Sequence, residues 1–110
     1  MVDTKRYLLT SGDSTSTTST TGTQTSVTGS TSSVPILLAN SDRLGATIFN
    51  DQSIGGAILY LRLSATDATT TTYTTQIGPL GYYEVPAGYT GGITGIWSIV
   101  QGAARITELT

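Results

Sequence analysis

Residues 11–33 form a run of 23 in which seventeen are Ser or Thr. Only Gly12, Asp13, Gly22, Gln24, Val27 and Gly29 interrupt it. Such a run buries too little apolar surface to offset the entropy of ordering it. By itself it reads as a flexible, uncharged tether. Only contact with a partner, most simply another chain, would hold it still. The run leaves 77 residues, 34–110, for a core. A domain of that size is only marginally stable alone.

Nothing covalent compensates, because the chain has no Cys. It has no His either, which removes the usual metal ligand and the usual general base at neutral pH. The remaining source of stability is a partner subunit. Net charge is −2 and only 11% of residues are charged. No basic patch is available to neutralise phosphates, so nucleic acid is not an expected ligand. No apolar run reaches the roughly 18 residues of a membrane span. Met1 to Leu9 carries charges with no apolar stretch behind them, so it does not read as a secretory signal.

From residue 34 onward the pattern changes to short apolar alternations separated by turn residues. The sequence predicts strands over 35–39, 44–50, 57–63, 73–77, 82–85, 93–100 and 103–109. In the second run Ala46 and Ile48 share one face, with Thr47 and Phe49 on the other. In the third, Ala57, Leu59, Leu61 and Leu63 share a face opposite Ile58, Tyr60 and Arg62. These two runs, joined across Asn50-Asp51-Gln52-Ser53 and Gly55-Gly56, read as a hairpin with a loop of about six residues. The strand over 93–100 places Ile93, Trp97 and Ile99 toward the same core as the Leu59 face. No segment shows a capped 3.6-residue period. Seven strands with turn signals about every ten residues predict an all-β fold. The expected form is a small antiparallel sandwich or jelly-roll-like barrel. The domain boundary falls at Val34, after an arm over residues 1–33.

The chemistry-bearing residues do not assemble into a reactive motif. Gly91-Gly92-Ile93-Thr94-Gly95 resembles a phosphate loop only until the next residues, which are β-branched and not helical. It reads as a turn and strand. Asp42, Asp51 and Asp67 fall in turns, where Asp serves local backbone hydrogen bonds. Neither Asn40, Asp42 nor Asn50, Asp51 has the spacing of a calcium loop. The serines have no His and no Gly-x-Ser-x-Gly elbow. The expectation is a chain that is not an enzyme, with no cofactor and no metal. Tyr60, Tyr82, Tyr83 and Tyr89 are candidate interface aromatics, and a sugar-stacking face drawn from Tyr60, Tyr73, Tyr82, Tyr83, Tyr89 and Trp97 is the alternative use of such rings. At the far end of the tether, Lys5, Arg6, Tyr7, Leu8 and Leu9 form a candidate anchoring peptide.

Ile36-Leu37-Leu38-Ala39-Asn40-Ser41-Asp42-Arg43-Leu44-Gly45-Ala46-Thr47-Ile48-Phe49-Asn50-Asp51 resembles small structural proteins encoded among the virion genes of tailed bacteriophages. So do Gly81-Tyr82-Tyr83-Glu84-Val85-Pro86, Tyr89-Thr90-Gly91 and Gly95-Ile96-Trp97. The resemblance covers residues 34–110 and not the tether. It implies a β-rich domain attached to a capsid, neck or tail, and it carries over no catalytic residues. The expected function is capsid decoration, or cement: the domain sits on the outer shell of the virion after synthesis in the host cytoplasm. Its partners are the major capsid protein or other virion subunits and further copies of itself, with a homotrimer favoured. The arm then laces neighbouring subunits. The alternatives are a tail or fibre adhesin that binds host-surface carbohydrate, and a neck or head-tail structural protein.

Overall fold

The computed structural model describes residues 18–110. The described chain is all-β, with eight strands. They are β1 (Gly22–Thr28), β2 (Val34–Leu37), β3 (Gly45–Asp51), β4 (Leu59–Arg62), β5 (Thr75–Ile77), β6 (Tyr82–Val85), β7 (Ile93–Trp97) and β8 (Ala103–Leu109). They form two four-stranded sheets, ordered β1-β8-β3-β6 and β2-β7-β4-β5. Every neighbouring pair is antiparallel.

The pairs β1 with β8, β2 with β7, β3 with β6 and β4 with β5 nest inward from the two ends of the described chain. A long double ribbon rolled into two facing sheets has this connectivity, which is the jelly roll. Only the β4–β5 connection stays within one sheet. All others cross from sheet to sheet. Successive strands alternate in direction, so the connections gather at two poles.

The core lies between the sheets and follows the period of two. β3 buries Ala46, Ile48 and Asn50 and turns Thr47 and Phe49 outward. β4 buries Leu59 and Leu61, and Ala57 joins them from the preceding loop. Ile36, Ile77, Val85, Ile93, Trp97, Ala104 and Ile106 complete the cluster. Gly95 has a packing reason: a Cβ there would lie 3.0 Å from both Ile36 Cδ1 and Leu59 Cδ1. Without it those two side chains reach the middle of β7.

Three sequence expectations are corrected. First, the run read as a tether contains β1. Its register with β8 is unbroken from Gly22–Leu109 to Thr28–Ala103. The folded unit therefore starts before Val34. Val27 is the one apolar residue of the run and packs half-buried on the core. The backbone ladder holds the rest of β1, and Thr suits extended geometry. Residues 11–17 of that run lie outside the described residues.

Second, β3 and β4 do not form a hairpin, because they belong to different sheets. The loop between them crosses the top of the core. Asn50 spans the gap, with Nδ2 donating to Ala57 O at 3.0 Å and Ile77 O at 2.8 Å. Third, the strand over 93–100 stops at Trp97. The Ser98 N–H donates to Ile58 O, and Ser98 Oγ accepts the Ile58 N–H, both at 2.9 Å. That side chain takes the place of a strand carbonyl and releases the chain into a turn. Ile99 is consequently half-exposed and not in the core.

Candidate functional site

The two poles of the roll have opposite character. One is closed by a buried cation. Arg43, in the β2–β3 connection, has a side chain with no exposed surface. Its Nε donates to Glu108 Oε2 on β8 at 2.8 Å. Its other nitrogens donate to Leu38 O at 2.6 Å, Gly91 O at 2.8 Å and Tyr89 O at 3.3 Å. One planar guanidinium thus ties the β2–β3 loop, the β6–β7 loop and the last strand together. Asn40 N adds a backbone bond to Thr90 O at 2.8 Å. The Tyr89 hydroxyl donates to Gly92 O at 2.6 Å.

The other pole is apolar at its tips. The β3–β4, β5–β6 and β7–β8 connections meet there. Leu80 N donates to Asn50 O at 2.9 Å, and the Gln52 amide donates to Gln101 O. Between them lies a cleft of about 430 Å³ lined by Asp51, Gln52, Ser53, Leu80, Gln101 and Gly102. The three connections that form it carry four exposed aliphatic side chains, of which Leu80 lines the cleft. Ile54 is 87% exposed and Val100 is 68% exposed, with Leu80 and Ile99 about half-exposed.

Leu80 carries the sharpest signal at this pole. It is the one described non-glycine residue with positive φ, at 62°. Gly78-Pro79-Leu80-Gly81 closes with Gly81 N donating to Gly78 O at 2.9 Å. With Pro at the second position and positive φ at the third, this is the geometry of a type II turn, which favours Gly or Asn where Leu80 stands. A branched side chain there costs about 1–2 kcal/mol. The fold keeps that cost and leaves the side chain in water. Backbone strain of this kind clusters at functional sites, which makes Leu80 a candidate contact residue.

The sequence-predicted aromatics do not come together. Tyr82 projects from the outer face of the first sheet, directly across from Phe49. Tyr60 projects from the outer face of the second sheet, where its ring meets Tyr73 edge-on at 5.0 Å. Tyr83 and Tyr89 pack against the core. Trp97 is buried in the core as well, so a single sugar-stacking surface made of all six rings is not present. The candidate anchor Lys5, Arg6, Tyr7, Leu8 and Leu9 lies outside the described residues.

The carboxylates are dispersed. Asp51 pairs with Arg105 at 2.9 Å on the outer face, where both are about half-exposed. Glu108 serves Arg43, and Glu84 is exposed on β6. Asp42 N donates to Asn40 Oδ1 at 3.0 Å in a turn. No group of three or more candidate metal ligands occurs among the described residues. Among the described residues no helix is long and apolar enough to cross a membrane.

Sequence reasoning missed the apolar pole. Ile54 and Leu80 sit inside turn sequences and Ile99 and Val100 inside an apparent strand, so the sequence does not show them as neighbours. The readable clue was an aliphatic residue at the centre of each turn, in Ser53-Ile54-Gly55 and Pro79-Leu80-Gly81.

Fold and surface together define a small jelly-roll module with one cation-locked pole and one aliphatic pole. No protein-family model, curated protein or solved structure matches the chain.

Proposed function

We propose that this chain is a non-enzymatic structural virion protein of the capsid decoration, or cement, type. The observation that carries the reading is the aliphatic pole, with Leu80 held at positive φ and exposed. Desolvating Ile54, Leu80, Ile99 and Val100 against a shell subunit supplies affinity without charge. The jelly roll is also a recurrent architecture of viral capsid domains, which is support by analogy.

The arm adds a second attachment. β1 begins beside the end of β8, at the Arg43 pole, and residues 1–17 precede it in the chain. Their extended reach is roughly 55–60 Å. Lys5, Arg6, Tyr7, Leu8 and Leu9 would anchor that end on a neighbouring subunit. A copy held at both poles bridges subunits, and its binding free energy then stabilises the closed shell.

The test is occupancy on particles after dilution, read with circular dichroism of the free protein. Leu80→Gly is expected to keep the β signal and an unchanged or higher melting temperature, because the turn strain is relieved. Its occupancy on particles is expected to fall at least about tenfold, as loss of one buried aliphatic contact implies. Deleting residues 1–17 is expected to leave the fold intact and speed dissociation. Full occupancy of both variants would overturn the reading. Tyr82, 71% exposed beside Phe49 on the outer sheet face, favours the adhesin as the second reading. Labelled virions separate the two: label over the head supports decoration, and label at the tail tip, with glycan binding lost in Tyr82→Ala, supports the adhesin.

A further inference from the structure

The two sheets have four outer edges, and three of them are closed to further pairing. β2 contains Pro35 and an irregular register between Pro35 and Leu37. β5 has only three residues. β6 is four residues long, carries the exposed Glu84 and runs straight into Pro86. Proline, bulges, charges and shortness are the usual means of blocking edge-to-edge association.

β1 has none of these. It is seven residues of GTQTSVT, without charge, proline or bulge, and no strand lies beyond it among the described residues. The backbone bonds that flank the ladder fix which groups face outward. Thr110 N donates to Thr21 O, and Gly29 N donates to Gly102 O, both at 2.9 Å. Each bond joins residues directly opposite in the β1–β8 register. Hydrogen-bonded pairs alternate along an antiparallel ladder. Thr23, Thr25 and Val27 therefore bond to β8. Gly22, Gln24, Ser26 and Thr28 present their backbone N–H and C=O groups to the open edge.

We propose that this edge pairs with β1 of a second copy, antiparallel about a two-fold axis at Thr25. Centred there, Gly22 faces the second Thr28, and Gln24 faces the second Ser26. Every outward group on each strand then finds a partner. Thr25 faces its own counterpart, and Thr23 faces Val27. No like charges meet, and Thr–Thr pairs across strands are favourable. An isologous contact of this kind closes at two copies and joins two first sheets into one. It is a two-fold arrangement, unlike the trimer expected from the resemblance, and it holds wherever the protein is deployed.

The chain has no cysteine, so a single introduced thiol reports cleanly. At the axis, two Thr25 Cα atoms would stand about 4.5 Å apart, within disulfide range. Two Ser26 Cα atoms would be diagonal, roughly 7–8 Å apart and beyond that range. In the full chain, Thr25→Cys is expected to form a disulfide-linked dimer under mild oxidation, with Ser26→Cys at least about tenfold slower. Sedimentation of the unmodified chain is expected to show a concentration-dependent dimer. Ser26→Pro removes an outward N–H without touching the β8 ladder, and is expected to weaken dimerisation at least about tenfold with the β signal retained. A monomer or a trimer at micromolar concentration would overturn the proposal. So would equal cross-linking of the two cysteine variants, a measurement that stands even if the proline variant fails to fold.

Discussion

Replacing Trp97 by alanine is expected to cost about 3–5 kcal/mol and to yield unfolded or insoluble protein. The ring is the largest fully buried side chain among the described residues. It stands on β7, between β2 and β4 in the second sheet, with Leu59 as its cross-strand neighbour. The whole stability of a domain this size is of the order of 5 kcal/mol. Removing the ring leaves a cavity in the core cluster that the facing sheets cannot close without shifting other buried side chains. Trp97 Nε1 has no hydrogen-bond partner among the described residues. The contribution is therefore one of volume, and Trp97→Phe is expected to lose distinctly less than Trp97→Ala. Urea denaturation of the three proteins measures this. A Trp97→Ala protein that keeps its melting temperature would place the ring outside the core.

The core was readable because burial in a two-sheet fold follows alternation. Period two alone places Leu59 and Leu61, and Ile93 and Trp97, inward, and it puts Ala46 and Ile48 on one shared face without saying which; all six are buried. β6 and β8 match their predicted spans. Alternation says nothing about which strand pairs with which. That is why residues 44–50 and 57–63 read as a hairpin although they lie in different sheets. β1 was hidden for a different reason. A strand held by backbone bonds to β8, with only Val27 partly buried, has no apolar signature to find. The aliphatic pole was hidden because it is a property of three loops at once. The loops over 52–58, 78–81 and 98–102 meet only through the jelly-roll connectivity. The Arg43 lock was equally invisible: its acceptors lie on Leu38, Tyr89, Gly91 and Glu108, far apart in the chain.

Arg43→Ala is expected to destabilise the domain by about 3–5 kcal/mol, the usual cost of removing one partner from a buried ion pair. The loss has two parts. The Glu108 carboxylate, only 17% exposed, is left without its counter-charge. The carbonyls of Leu38, Tyr89 and Gly91 lose the donor that draws three segments to one point. Arg43→Lys keeps the charge but not the planar fork, so it cannot reach Glu108 and the carbonyls together and is expected to recover only part of the loss. The exposed Arg105–Asp51 pair is the internal control. Solvent screens it, and Arg105→Ala is expected to change stability by no more than about 1 kcal/mol. Thermal unfolding of the three variants tests the ranking. Similar small losses for Arg43→Ala and Arg105→Ala would show that the guanidinium is not what closes this pole. A large loss at Arg43 alone would show that the buried guanidinium is what holds the β2–β3 loop, the β6–β7 loop and β8 together at this pole.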